Sequence, residues 1–366
     1  MNPVDPASAP ASAPVGPGRR TFLTGALAVG TGALLGPALS AGAARAATGP
    51  VIADTSVWGA RPASSPLNVL AGAPDKVIVH HTATPNVTDY SQAAAFALAR
   101  SIQSYQMDSE HWIDTGQHFT ISRGAYITEG RHSSLATLRG GTQHIESAHC
   151  TAQNTVAIGI ENEGTYTTVD PRSQQYAALV DLITYICRQY GLRAYQVYGH
   201  RDFNSTECPG DRLYALIPQI RRDVAARIGG DPTGPVWPVL SSGASGENVR
   251  TLQYLLVQRG QTLTVDGSYG PATQAAVTAF QNTTHASADG VAGNQTWSQA
   301  VAPLALGAAG SAVQGVQSQL VAHGIQVSVD GAFGPGTQAG VTGFQTSAGL
   351  PADGVVDART WSRLLA

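Results

Sequence analysis

The chain has 366 residues, enough for two or three domains of ordinary size, and 43% of them are hydrophobic, which suits globular domains with real cores. Only 12% are charged and the formal net charge is -3, so the chain lacks the basic footprint that nucleic-acid binding needs. Three cysteines (Cys150, Cys187, Cys208) allow at most one disulfide, and eight of the ten histidines fall between His80 and His200, marking that stretch as the chemical one.

Residues 1–18 are rich in Pro, Ala and Ser, a composition that cannot build a core. Gly18-Arg19-Arg20-Thr21-Phe22-Leu23 then leads into an uncharged Ala/Gly/Leu run and a small-residue cleavage site at Ala44-Arg45-Ala46. Together these read as a twin-arginine export signal, with the mature protein starting near residue 47. The glycines and Pro37 argue against a spanning helix, so no stable membrane insertion is expected after cleavage.

Residues 47–230 alternate strand and helix patterns. Lys76 to Val79 reads as a buried strand running into His80-His81, and residues 89–106 as a helix. His118 to Ile127 reads as a hairpin turning at Arg123-Gly124, Val156 to Asn162 as a strand, and 173–190 as an amphipathic helix. Gln196 to Tyr198 is a short strand ending at His200, and one last helix carries Leu213, Leu216, Ile217, Ile220 and Val224. The expected class is α/β, a mixed sheet flanked by helices.

Asp231 to Val236 form a linker. Beyond it the sequence repeats with a period of 64: Val265-Asp266-Gly267 returns as Val329-Asp330-Gly331, Phe280-Gln281 as Phe344-Gln345, and Thr296-Trp297 as Thr360-Trp361. Residues 237–301 and 302–366 are therefore two tandem small domains. In each, a first helix stops at Gly260 or its counterpart, a Gly-Pro opens a second, and a short third holds the Trp. Both copies resemble the peptidoglycan-binding module of cell-wall hydrolases. The aromatic residues read as core, leaving the loops around the Asp-Gly turns as the ligand surface, and duplication suits a polymeric ligand through avidity.

His80 and His200 each end a strand, and Cys208 follows eight residues later before Pro209-Gly210. Two imidazoles and a thiolate suit zinc, with the fourth position left open for water. The surrounding motifs are Trp58-Gly59-Ala60-Arg61-Pro62, Val77-Ile78-Val79-His80-His81-Thr82, Gly199-His200-Arg201-Asp202 and Thr206-Glu207-Cys208-Pro209-Gly210-Asp211. In this order they resemble the N-acetylmuramoyl-L-alanine amidases of the phage-lysozyme and peptidoglycan-recognition-protein family. The resemblance implies Zn2+ held by His80, His200 and Cys208, with His81 lining the site and Thr206 near the substrate carbonyl. It implies peptidoglycan as the partner, cut at the amide between N-acetylmuramic acid and L-alanine.

The phage-type branch has a tyrosine where this chain has Gln117, and glutamine cannot serve as a base, so that role does not carry over. Glu161, in Ile158-Gly159-Ile160-Glu161-Asn162, resembles the catalytic glutamate of the related anhydro-muropeptide amidases. Alternation places Glu161 with Ala157 and Gly159 on a face with room for substrate. That branch tends to have a lysine where Thr206 stands, so the oxyanion-stabilising group is left open. His149 and Gln117 are expected to line the substrate site, while His111, His132 and His144 read as ordinary surface or groove residues. Cys150 and Cys187 are open to either one disulfide or two buried thiols. A non-catalytic recognition protein and a peptidase acting within the stem peptide are the alternatives; a monomer is expected either way.

Overall fold

A computed structural model describes residues 49–366. The export signal read in the first 46 residues lies outside the described residues. In the first part the chain runs β1 (Ile52–Ala53), α1 (Thr55–Trp58), β2 (Val69–Ala71), β3 (Lys76–His81), α2 (Gln92–Asp108), β4 (Phe119–Ile121) and β5 (Ile127–Glu129). It continues through α3 (Ser134–Gly140), β6 (Gln143–Ile145), β7 (Ala157–Asn162), α4 (Ser173–Tyr190), β8 (Val197–Gly199), α5 (Asp211–Ala215) and α6 (Ile217–Ile228). One mixed sheet has the order β1-β5-β4-β7-β3-β8, with every neighbouring pair parallel except β4 with β5; β2 and β6 form a separate antiparallel pair.

The β-branched residues of β3 and β7 suit a pleated surface buried on both sides. Val77, Val79, Phe119, Ile121, Ile158 and Ile160 face the main core, where Leu179, Leu182, Ile183 and Ile186 of α4 meet Ile220 and Val224 of α6. The opposite face carries Ile78, Ala157 and Tyr198, which pack with Cys150 and Phe203. That alternation decides the cysteine question. Cys150 lies in the second cluster and Cys187 in the first, so both are free buried thiols, and burial pushes each up to about 12. The single last helix read from the sequence is two helices, because Pro218 in the first turn of α6 has no N–H to continue the α5 ladder.

The first repeat supplies α7 (Glu247–Gln258), α8 (Pro271–Thr283) and α9 (Asn294–Ala300); the second supplies α10 (Ser311–Ala322), α11 (Pro335–Ser347) and α12 (Ala358–Leu364). Each Asp-Gly turn is clamped by a buried glutamine. Gln281 Nε2 donates to Asp289 Oδ1 (2.9 Å), the Val291 carbonyl (3.0 Å) and Thr296 Oγ1 (3.1 Å), and its Oε1 accepts from Gly290 N–H (2.9 Å). Gln253, Gln317 and Gln345 do the same at their turns. Gly290 sits at φ +68°, a conformation that favours glycine, which is why the dipeptide recurs.

The tryptophans are core: Trp297 and Trp361 are fully buried. The two copies are not beads on a string, however. α7 packs on α10, one apolar cluster runs through both repeats, and Gln319 Nε2 of α10 donates to Asn248 Oδ1 and Thr251 Oγ1 of α7. Among the described residues no helix is long and apolar enough to cross a membrane.

Candidate metal and catalytic site

Three parallel strands finish at the same edge of the sheet: β3 at His80-His81, β7 at Glu161-Asn162, and β8 at Gly199, one residue before His200. Register sets Thr120, Glu161 and His80 side by side. Val79 stands opposite Gly199, so His200 prolongs the row. In-register residues on adjacent strands point to one face, so a carboxylate and two imidazoles converge outside the carboxyl ends of the strands. That edge is where open α/β sheets collect ligands.

Cys208 completes the cluster from the following loop. The ligand atoms of His80, His200 and Cys208 all lie within 4.8 Å of one another, and His80 Nδ1 is 3.6 Å from Cys208 Sγ. A tetrahedral ion about 2.0 Å from nitrogen and about 2.3 Å from sulfur would set those two atoms about 3.5 Å apart, so the pair fits such an ion as it stands. The trio can therefore hold a metal ion.

The loop is braced by its own motif. Asp202 Oδ2 accepts from Gly199 N–H (2.9 Å), and Arg201 pairs with Asp211 (2.6 Å) and donates to the Glu207 carbonyl. Thr206 Oγ1 accepts from Cys208 N–H (3.1 Å). Gly210, at φ +88°, lies so close to the Tyr166 backbone that a side chain there would overlap it.

The outer nitrogens of both imidazoles are engaged. His80 Nε2 meets His149 Nδ1 at 2.9 Å, and His200 Nε2 donates to Asn204 Oδ1 at 3.0 Å. Asn204 Nδ2 faces the Thr284 carbonyl (2.8 Å), which fixes the orientation of the amide, so His200 keeps its Nδ1 lone pair free. With Nδ1 of His80 facing the cluster, its Nε2 carries the proton and donates to His149. The two ring orientations are thus set before any metal arrives.

Burial governs the ionisation states. It holds His80 and His149 well below the usual imidazole range, helped by the neighbouring imidazoles, and lowers His200 too. It pushes the Glu161 carboxyl up to about 8, and burial together with Glu161 raises the Cys208 thiol well above its ordinary value. Glu161 Oε2 is buried without a hydrogen-bond partner. A buried carboxylate oxygen left unpaired beside a thiol and two neutral imidazoles is costly in isolation and makes sense beside a cation.

The other residues singled out from the sequence fall differently. His81 belongs to the strand's opposite face: its Nδ1 accepts from Tyr166 N–H (3.3 Å), and it meets Cys208 Sγ through its backbone, the N–H donating (3.4 Å) and the carbonyl accepting (3.9 Å). Gln117 is 2% exposed and donates to Thr120 Oγ1 (3.0 Å), so it supports the row instead of lining an open groove. His149 packs over Gly159, filling the space that the small residue was expected to leave for substrate; a Cβ at Gly159 would overlap its ring. His144 spans the Gly72 and Thr155 carbonyls (3.0 and 2.9 Å), His132 pairs with Asp114 (2.8 Å), and neither these nor His111 joins the cluster. Asn204 was missed. Its only signal was a polar residue four positions after one candidate ligand and four before the other.

The family described as N-acetylmuramoyl-L-alanine amidase matches residues 70–211, and the family described as peptidoglycan binding domain matches residues 245–299 and 309–364. Peptidoglycan-recognition protein SC2 of Drosophila simulans is 34% identical over 175 residues, covering 48% of this chain and 88% of that protein. The N-acetylmuramoyl-L-alanine amidase of Homo sapiens is 30% identical over 172 residues, covering 46% of this chain but only 28% of that protein. The solved structure of wild-type Drosophila PGRP-LB aligns at 30% identity and a TM-score of 0.41, over 46% of this chain and 92% of that one.

Proposed function

The chain belongs to the family of N-acetylmuramoyl-L-alanine amidases and peptidoglycan-recognition proteins, and from that premise we propose that it is an exported, zinc-dependent amidase of peptidoglycan. The bond cut is the amide between the lactyl group of N-acetylmuramic acid and L-alanine of the stem peptide. The observation that carries this reading is the row of His80, His200 and Cys208 beside the unpartnered carboxylate of Glu161.

His80 Nδ1, His200 Nδ1 and Cys208 Sγ would hold the zinc, with His149 and Asn204 fixing the two rings. Zinc, when bound, supplies Lewis acidity at the scissile carbonyl, lowers the pKa of a water, and favours the ionised forms of Glu161 and Cys208. Glu161 takes a proton from the attacking water as the new C–O bond forms. It returns that proton to the L-alanine nitrogen as the C–N bond breaks, so acid and base are one residue. Thr206 acts on the loop, where its hydroxyl anchors Cys208 N–H. The two repeats hold the enzyme on the wall, and the Arg19-Arg20 signal takes it across the cytoplasmic membrane, to work as a monomer.

The missing tyrosine at Gln117 is the one feature that favours recognition without cleavage. Incubation with insoluble wall separates the two readings. Soluble stem peptides released in proportion to time mark an enzyme, whereas protein sedimenting with intact wall and releasing nothing marks a recognition protein.

A further inference from the structure

The loop between two of the candidate ligands is gripped from outside by the first repeat. Asn294 Nδ2 donates to Asp202 Oδ1 (3.0 Å), and Gln295 Nε2 donates to the carbonyls of Arg201 (3.1 Å) and Asn204 (2.8 Å). Gln299 Nε2 donates to the Phe203 carbonyl (2.6 Å), and Ser205 N–H donates to the His285 carbonyl (2.9 Å). Asn204 closes the path. It is buried, its Oδ1 accepts from His200 Nε2, and its Nδ2 donates to the Thr284 carbonyl of the first repeat.

The sequence contains its own comparison. Sixty-four residues on, the clamp residues Gln281, Asp289 and Thr296 are kept as Gln345, Asp353 and Thr360. The three side chains that reach the ligand loop are not kept: Asn294, Gln295 and Gln299 become Ala358, Arg359 and Arg363. Arg359 turns elsewhere, to Asp231 (2.5 Å). The second copy folds without these amides; in the first, Gln295 Oε1 also accepts from Ser287 N–H (2.8 Å) and Gln299 Nε2 also donates to the Thr284 carbonyl (2.9 Å), so they tie the loop to the module.

We propose that the first repeat is a working part of the metal centre, with Asn204 as the positioning residue that connects them. Asn204 fixes the tautomer and orientation of His200. The Thr284 carbonyl, Gln295 and Gln299 keep Asn204 in place. The inference rests on the reading of His80, His200 and Cys208 as zinc ligands. Outer partners of ligating histidines typically change metal affinity by about 10–100-fold when removed. Coupling of this kind runs both ways, so zinc at His200 also tightens the docking of the first repeat.

The test is zinc affinity of the full chain, measured by competition with a chromophoric chelator. The wild type is expected to bind one zinc, and Asn204→Ala to bind it about 10–100-fold more weakly. Asn204→Asp keeps the oxygen that accepts from His200 and should retain more affinity than Asn204→Ala. The double variant Q295A/Q299A leaves every atom of the cluster untouched, so it stays informative if Asn204→Ala fails to fold, and it should still lose several-fold in affinity. Wild-type affinity in both Q295A/Q299A and a folded Asn204→Ala overturns the proposal. A wild type that binds no zinc overturns the ligand reading itself, which separates the two failures.

Discussion

At the scale of single residues, the site is defined by what is buried without a partner. Glu161 is the clearest case, and its environment makes a signed prediction for metal-stripped protein. In the unfolded chain its carboxyl titrates near 4.5, and in the folded chain at about 8. Between those values the folded state holds a proton that the unfolded state has lost, so stability falls as pH rises through that window. Glu161→Gln removes the effect. Thermal melts should show the variant more stable than wild type at pH 8–9, by up to a few kcal/mol, with the gain vanishing near pH 4. Hydrolysis by the same variant should drop by about 10²–10⁴-fold with zinc retained. A variant with full activity would remove Glu161 from the mechanism. His118 has the opposite sign: its Nδ1 accepts from Gly159 N–H (3.0 Å), and burial lowers it to about 3. It stabilises the fold above about pH 6.5, and that contribution is lost as pH falls toward 3.

At the scale of elements, β3, β7 and α4 were legible because each is a run of apolar residues with a clear period. The short strands β1, β2 and β6, of two or three residues, carry no period and were not read. The cluster of His80, His200 and Cys208 was legible through its motifs as a candidate metal site, but the partners that orient its rings were not. His149 reaches His80 only because Gly159 leaves room for its ring, and that depends on a register 10 residues away in sequence but adjacent in space. Gly159→Ala should therefore displace His149, cost about 1–3 kcal/mol by overpacking and weaken zinc binding; melts with and without zinc check both. In the repeats, the Asp-Gly turns were visible in the sequence while their glutamine clamps were not. Gln281→Ala leaves the Gly290 N–H and Thr296 hydroxyl short of a partner inside the first repeat. It should lower stability by about 2–4 kcal/mol in a denaturant titration, and an unchanged midpoint would contradict the clamp.

At the scale of the whole molecule, the sequence suggested a catalytic domain trailing two independent modules, and the structure joins them. α7 and α10 share a core, and the first repeat holds the loop between His200 and Cys208. Arg193 pairs with Asp353 and Asp357 of the second repeat, where the Tyr195 hydroxyl also donates to Asp357. None of these contacts has a sequence signature, because each depends on residues more than 50 positions apart meeting across an interface. A body built this way should melt in one calorimetric transition; well-separated transitions for the two parts would contradict it.

The central claim, that the strand-edge cluster is a zinc amidase centre, is tested most directly by mass spectrometry of purified peptidoglycan digested by residues 47–366, before and after metal stripping. The account predicts intact glycan strands and free stem peptides beginning with L-alanine, abolished by chelation and restored by zinc. New termini inside the stem peptide, or the same products without metal, would contradict it.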